Sequence, residues 1–363
     1  MGVAEDLFRP FDFISQDLVV RLRRVAREAE TLSDLHADQW NFLFESGWLK
    51  MLVAREFGGS ELSLPEVLRL EEALAWVDGS LGWVVTLASG AGWFSGFMEP
   101  AVARAIYNDP GCCVAGSGAP LGIARQSDDG FIVRGKWPYA SGALRATAFT
   151  ASCLLTDVKG DPIVNSSGEQ IVRPFVFFRD EVQTHKTWKA MGMVATGSHA
   201  FEVASLLVPG DRSFDIEAPP RIDRPLFRYS FDALAITTLA VNLAGMSLRC
   251  VDLASETSRY APGVRDVIEA SVTELQEARS GFYKTAEASW QRCQKGDGLN
   301  DKDLIDITRS SLSLSGKARD VVNRVIPLCG MTAADSGGEL NRVWRNFFTA
   351  AQHSVFRGFV DDI

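Results

Sequence analysis

Apolar positions recur at three- and four-residue intervals through the first third of the chain. Leu18, Leu22, Val25 and Ala29 share one helical face, and Trp40, Leu43, Phe44 and Trp48 follow after a Ser33-Asp34 break. Ser63 reads as a helix cap, with Pro65 in the first turn and Glu66 at the capping-box position. That helix runs to about Trp76, where Asp78-Gly79-Ser80 ends it and caps the next. From residue 110 the texture changes. Short segments rich in Val, Phe and Ile, at 112–116, 130–136, 147–155, 171–178 and 200–208, are separated by Asp-Asp-Gly, Lys-Gly-Asp-Pro and Asn-Ser-Ser-Gly turns. They predict strands. From 225 onward helical spacing returns. Val264, Val267, Ile268, Ser271, Leu275, Ala278 and Phe282 form one stripe, and Leu304, Thr308, Ser311, Leu312, Ser315, Ala318, Val322 and Val325 another. With stretches near 229–258 and 339–357 they predict four antiparallel helices. The expected architecture is α+β: an N-terminal α-helical domain over 1–110, a central antiparallel β-domain (barrel or sandwich) over 111–220, and a C-terminal four-helix bundle over 221–363.

Composition narrows the functions this architecture can serve. The net charge is −9, with no cluster of Lys and Arg, which argues against nucleic acid and against an anionic membrane surface. The apolar stretches at 79–97 and 233–251 are rich in Gly, Ala, Ser and Thr and read as buried core helices rather than membrane spans. The first residues, MGVAEDLFRPFDF, lack the pattern of a signal peptide. The six cysteines form no metal-binding spacing, so no metal site is expected, and a reducing cytoplasm is the natural setting.

Residues 135–142, GKWPYASG, set two aromatics beside a small Ala-Ser-Gly step. Taken alone, Ser141 fits a strand-end serine bonded to nearby backbone as well as it fits a ligand contact. Three other stretches bear on the choice: Gly116-Ser117-Gly118-Ala119-Pro120-Leu121-Gly122 upstream, Thr187-Trp188 through Thr196-Gly197-Ser198 downstream, and Leu340-Asn341-Arg342-Val343-Trp344-Arg345-Asn346 followed by His353. With Glu56-Phe57-Gly58-Gly59 and Glu71-Glu72 near the start, their order and spacing resemble the acyl-CoA dehydrogenase superfold along almost the whole chain. Within it they are similar to the oxygenase components of flavin-dependent two-component monooxygenases. A dehydrogenase of this superfold carries its catalytic glutamate on the last helix or on the first helix of the bundle. Here the first place reads Ala350-Ala351-Gln352-His353-Ser354, and 233–248 holds no acid. Thioester dehydrogenation has no visible base.

The resemblance implies reduced FMN or FAD, supplied by a separate, transiently bound flavin reductase, and O2. The flavin would form a C4a-hydroperoxide that oxygenates an apolar, aromatic or polycyclic small molecule. It puts Ser141 at flavin N5 and His353 near C4a as the catalytic pair. Trp137, Tyr139 and Ala140 would wall the ring. Gly116 and Ser117 would offer backbone groups to its pyrimidine edge, and Thr196, Gly197 and Ser198 would approach the ring or ribityl chain. Each has a plain alternative, as turn or core residues. Arg259 would reach a phosphate, although the Arg-x-x-Phe-Gly motif of the dehydrogenases is missing around it, and that loss fits FMN or a loosely held FAD. Several relatives carry a histidine where Ala88 stands, so para-hydroxylation of simple phenols is not expected. A homotetramer is the assembly expected from the family. The alternative is a dehydrogenase or oxidase of the same fold acting on a non-thioester; a non-catalytic member is the third reading.

Overall fold

The computed structural model describes residues 8–257 and 263–357. The first five helices are α1 (Gln16–Leu32), α2 (Ala37–Ser46), α3 (Leu64–Val77), α4 (Gly79–Gly92) and α5 (Pro100–Tyr107). Their ends follow local chemistry. Ser63 and Glu66 form the capping box of α3, and Asp78 ends α3 and caps α4 by accepting from Leu81 N–H at 2.9 Å.

The middle of the chain is a six-stranded sheet: β1 (Val114–Ser127), β2 (Gly130–Ala140), β3 (Ala148–Thr156), β4 (Val172–Phe178), β5 (Gln183–His185) and β6 (His199–Val208), in the order β4-β3-β1-β2-β6-β5. The expected antiparallel domain is corrected here. β1 and β3 are parallel, so the sheet is mixed. The reason is the connection after β2, which stays at the end of the sheet where β1 begins and feeds β3 along the free edge of β1. The linear order leaves β4 and β5 as edges, so the sheet is neither a closed barrel nor a two-sheet sandwich. β1 is also far longer than the segment expected at 112–116, because Gly116 to Gly122 is an irregular strand rather than a turn. The three-residue β5 had no pattern long enough to predict it.

After a single turn, α6 (Pro225–Arg228), come α7 (Phe231–Thr257), α8 (Val264–Lys295), α9 (Asp301–Val325), the short α10 (Met331–Ala334) and α11 (Glu339–Ala350). α7 is long and apolar enough to cross a bilayer, yet nearly all of its apolar stretch is buried inside the protein. It packs so closely on α3 that a Cβ at Gly245 would lie 2.2 Å from the Glu72 carbonyl oxygen. The same Glu72 carboxylate reaches across to α8, where Arg279 binds both its oxygens at 2.6 and 2.7 Å and Tyr283 donates at 2.8 Å. The expected last helix to 357 stops instead at Ala350, and His353 begins a separate short turn.

Candidate active site

A cavity of about 800 Å3 lies where α4, α7, β1, β3 and the turn after α11 meet. Leu87, Ala91 and Phe94 of the α4 region and Leu234 and Leu239 of α7 give it an apolar interior. Ser117, Ser141, Thr150 and His353 bring hydroxyl and imidazole groups to the same space. Glu169, Asp215, Glu217 and Asp232 line it too, against one cation, Arg173, whose Nη2 lies 3.1 Å from the Asp215 carboxylate.

Ser141 reaches the cavity because β2 carries an irregularity. Pairing with β6 shifts register between Trp137 and Ala140, and Tyr139 takes a positive φ of 66° to accommodate the extra residue. The strand then ends with Ser141 buried, its Oγ 2.8 Å from Ser198 Oγ. Ser198 lies 2.6 Å from Thr196 Oγ1, which donates to the Met193 carbonyl at 2.7 Å. Thr196 and Ser198 therefore stand behind Ser141, and neither lines the cavity.

The segment carrying these hydroxyls is clamped by α11. Asn346 Oδ1 accepts from Met193 N–H at 2.6 Å, and Arg345 Nη1 donates to the Met191 carbonyl at 2.6 Å. Gly192 passes so close to α11 that a Cβ there would sit 1.9 Å from the Arg345 carbonyl oxygen. Met193 and Gly197 both have positive φ, a shape held by these contacts. The Asn341 to Asn346 stretch, quoted above only for its resemblance, thus has a physical role: it shapes the segment behind Ser141.

His353 comes into the cavity from the short turn that follows α11. Its Nδ1 accepts from Val355 N–H at 3.2 Å, which places the hydrogen of the neutral ring on Nε2. Burial lowers its pKa below the ordinary 6.5, with Arg357 adding to the effect, so the ring is neutral at pH 7. The ring packs edge-on to Trp83 at 5.8 Å. His36, His185 and His199 are each hydrogen-bonded elsewhere.

Not every expected contact is made. Trp137 is fully buried in the sheet, stacked on Phe201 at 5.1 Å with its Nε1 bonded to the Ser152 carbonyl. It is core, because the residue before the irregularity faces inward. Ala140 is buried with it. Tyr139 is the reverse: 68% exposed, outside the cavity, its ring meeting Trp188 edge-on at 6.0 Å. Gly197 lies behind Ser141 with its neighbours. Gly116 and Ser117 do line the cavity. Arg259 lies outside the described residues. Ala88 is buried and does not line the cavity, whereas Thr86 on the same helix does.

Thr86 is a residue the sequence reading missed. Asn242 Nδ2 donates to its Oγ1 at 2.7 Å, and the wholly buried Glu71 sits behind it, with Ser89 Oγ at 3.3 Å from Oε1. Burial pushes the Glu71 carboxyl well above the usual carboxylate range, outweighing hydrogen bonds from Thr86 and Ser89. A carboxyl inside an apolar helix was the available signal.

The residues present fit a flavin. Pairing of β1 with β3 shifts register between Ser117 and Gly122, so backbone groups at the cavity edge are left outside the ladder. Gly118 has open space around it, where a ring could approach. Ser141 supplies a buried hydroxyl within the cavity and His353 an N–H donor.

The acyl-CoA dehydrogenase N-terminal domain model matches residues 12–97, and the C-terminal domain model residues 248–358, together more than half of the chain. The chain is 26% identical to an indole-3-acetate monooxygenase of Acinetobacter baumannii, over 97% of this chain and 91% of that protein. It is 21% identical to the flavin-dependent monooxygenase oxygenase subunit HsaA of Rhodococcus jostii, over 93% and 92%. Among solved structures, XiaF from Streptomyces in complex with FADH2 superposes with a TM-score of 0.84 at 20% identity, over 94% and 91%. Two matched domain models in the expected order, with full-length relatives, show that this chain belongs to the acyl-CoA dehydrogenase family.

Proposed function

We propose that the chain is the oxygenase component of a two-component flavin-dependent monooxygenase. It takes reduced FMN or FAD from a separate reductase, binds O2, and oxygenates an uncharged aromatic small molecule. The observation that carries this reading is the meeting of Ser141 and His353, 212 positions apart in sequence by their numbering, in one largely apolar cavity. Relatives named as monooxygenases and a related structure holding FADH2 support it.

Reduced flavin, when bound, supplies the two electrons that split O2, one atom entering the substrate and the other leaving as water. The protein does the rest. Ser117 and the neighbouring irregular backbone of β1 orient the ring, and Ser141 fixes one polar edge. His353 holds an Nε2–H donor toward the cavity in an unchanging tautomer. Leu87, Ala91, Phe94, Leu234 and Leu239 exclude water and receive an arene. The carboxylates lining the cavity disfavour an anionic substrate.

The wild-type protein, given FMN or FAD, an unrelated flavin reductase, NADH and labelled O2, is expected to yield product carrying one labelled oxygen when offered neutral arenes such as indole. Flavin bleached by substrate with no reductase, and product without label, would identify a dehydrogenase of the same fold instead. Two further parts belong to this reading. A homotetramer is the assembly that the acyl-CoA dehydrogenase family leads one to expect, to be read by sedimentation. Six buried cysteine thiols support a cytoplasmic setting.

A further inference from the structure

The hydroxyl chain behind Ser141 has a direction. Met193 C=O accepts from Thr196 Oγ1 at 2.7 Å, and a carbonyl has no hydrogen to give. That contact uses the single hydrogen of Thr196. Thr196 must then accept from Ser198 at 2.6 Å, and Ser198 from Ser141 at 2.8 Å. The one hydrogen of Ser141 is therefore committed to Ser198. What Ser141 turns toward the cavity is oxygen lone pairs. The far end is held in place, since Asn346 accepts from Met193 N–H and Trp188 Nε1 donates to the same Met193 carbonyl at 2.8 Å. Thr196, Ser198 and Ser141 are 1%, 5% and 4% exposed, so bulk water does not reset the chain.

We propose that this chain makes the site select the redox state of its cofactor: Ser141 accepts the N5–H of a reduced flavin and has no hydrogen for the bare N5 of an oxidised one. The inference rests on the flavin reading above and adds to it. In reduced flavin N5 carries a hydrogen and donates; in oxidised flavin it carries only a lone pair and accepts. For Ser141 to donate, it must either turn away from Ser198, leaving their oxygens 2.8 Å apart with no hydrogen between them, or reverse all three hydroxyls. In the reversed chain Thr196 Oγ1 would face the Met193 oxygen at hydrogen-bond distance with no hydrogen between them. Either way one hydrogen bond is lost, a penalty of roughly two- to twelvefold in affinity. Thr196 and Ser198 are thus positioning residues that act through Ser141. An oxygenase sharing a diffusible flavin gains from this arrangement, because the oxidised flavin released after turnover competes less well with the incoming reduced one.

The test is the ratio of dissociation constants for oxidised and reduced FMN, the reduced form titrated anaerobically, with FAD in parallel. Wild type is expected to prefer the reduced form. Thr196→Val keeps the shape but removes the group that takes the Ser198 hydrogen, so Ser198 can donate to Ser141 and free it to donate in turn. The ratio is expected to fall roughly two- to twelvefold, mainly through tighter oxidised flavin, and Thr196→Ser to restore it. Ser198→Ala breaks the chain one link nearer the cavity and is expected to shift the ratio the same way, should the valine variant not fold. An unchanged ratio in a folded variant overturns the hydroxyl relay and leaves the flavin reading standing. Failure of wild type to bind flavin in either state overturns both.

Discussion

His353 shows how one side chain can serve local structure and chemistry at once. Nδ1 caps the turn at Val355 while Nε2 remains free to donate. Asparagine can make the same local bond to the backbone two residues on but is too short to present the distal donor. His353→Asn is therefore expected to keep the melting temperature near that of wild type and to lower coupled oxygenation about 10²–10³-fold, with peroxide released instead, as read by product against peroxide yield. The pH dependence follows from the lowered pKa. The neutral ring persists above pH 6.5, and its contribution to stability is full there. As pH falls below 6.5 toward the lower folded value, protonation removes the Nδ1 acceptor and that contribution declines, while Nε2 keeps its hydrogen. At this scale the sequence was partly legible. His353 and Ser141 stood out by resemblance, but Trp137 and Tyr139 exchanged their expected surroundings. One irregularity in β2 turns the first into the core and the second to solvent, and nothing in an aromatic's neighbours along the chain announces where a register shift will fall.

At the scale of elements, caps and periodicity located most helices and strands. Ser63, Glu66 and Asp78 act within a few residues of themselves, so their effects could be read directly. The parallel pairing of β1 with β3 could not, because it depends on which edge a connection reaches. The ion pair between Glu72 and Arg279 is similar, joining residues 207 positions apart. Its side chains are 1% and 2% exposed. Glu72→Gln would remove the carboxylate that binds the buried guanidinium at Nε and Nη2, and the expected loss is about 3–5 kcal/mol of stability in chemical denaturation, with α3 and α8 loosened together. Since α3 also backs the cavity through Glu71, this loss should precede any change in flavin contacts.

For the whole molecule, the cavity sets what can enter. Its apolar interior suits an arene, while Glu169, Asp215, Glu217 and Asp232 face only Arg173 among the charged residues that line it. An anionic ligand meets net repulsion. A neutral bicyclic arene is expected to bind roughly fivefold or more tightly than the same arene bearing an acetate, with the gap narrowing as salt rises, as measured by competitive binding. The sequence by itself determined the class and order of the three regions, since hydrophobic period and capping are local properties of the chain. It also marked Ser141 and His353, because their motifs keep fixed spacing. Only the tertiary structure decided that the Asn341 to Asn346 stretch shapes the segment behind Ser141, that Thr86 stands at the cavity wall with Glu71 behind it, and which way the Ser141 hydroxyl points. A hydroxyl is donor or acceptor according to its partners, and here those partners come from 57 residues away at Ser198 and, through Met193, from α11 a further 153 residues removed.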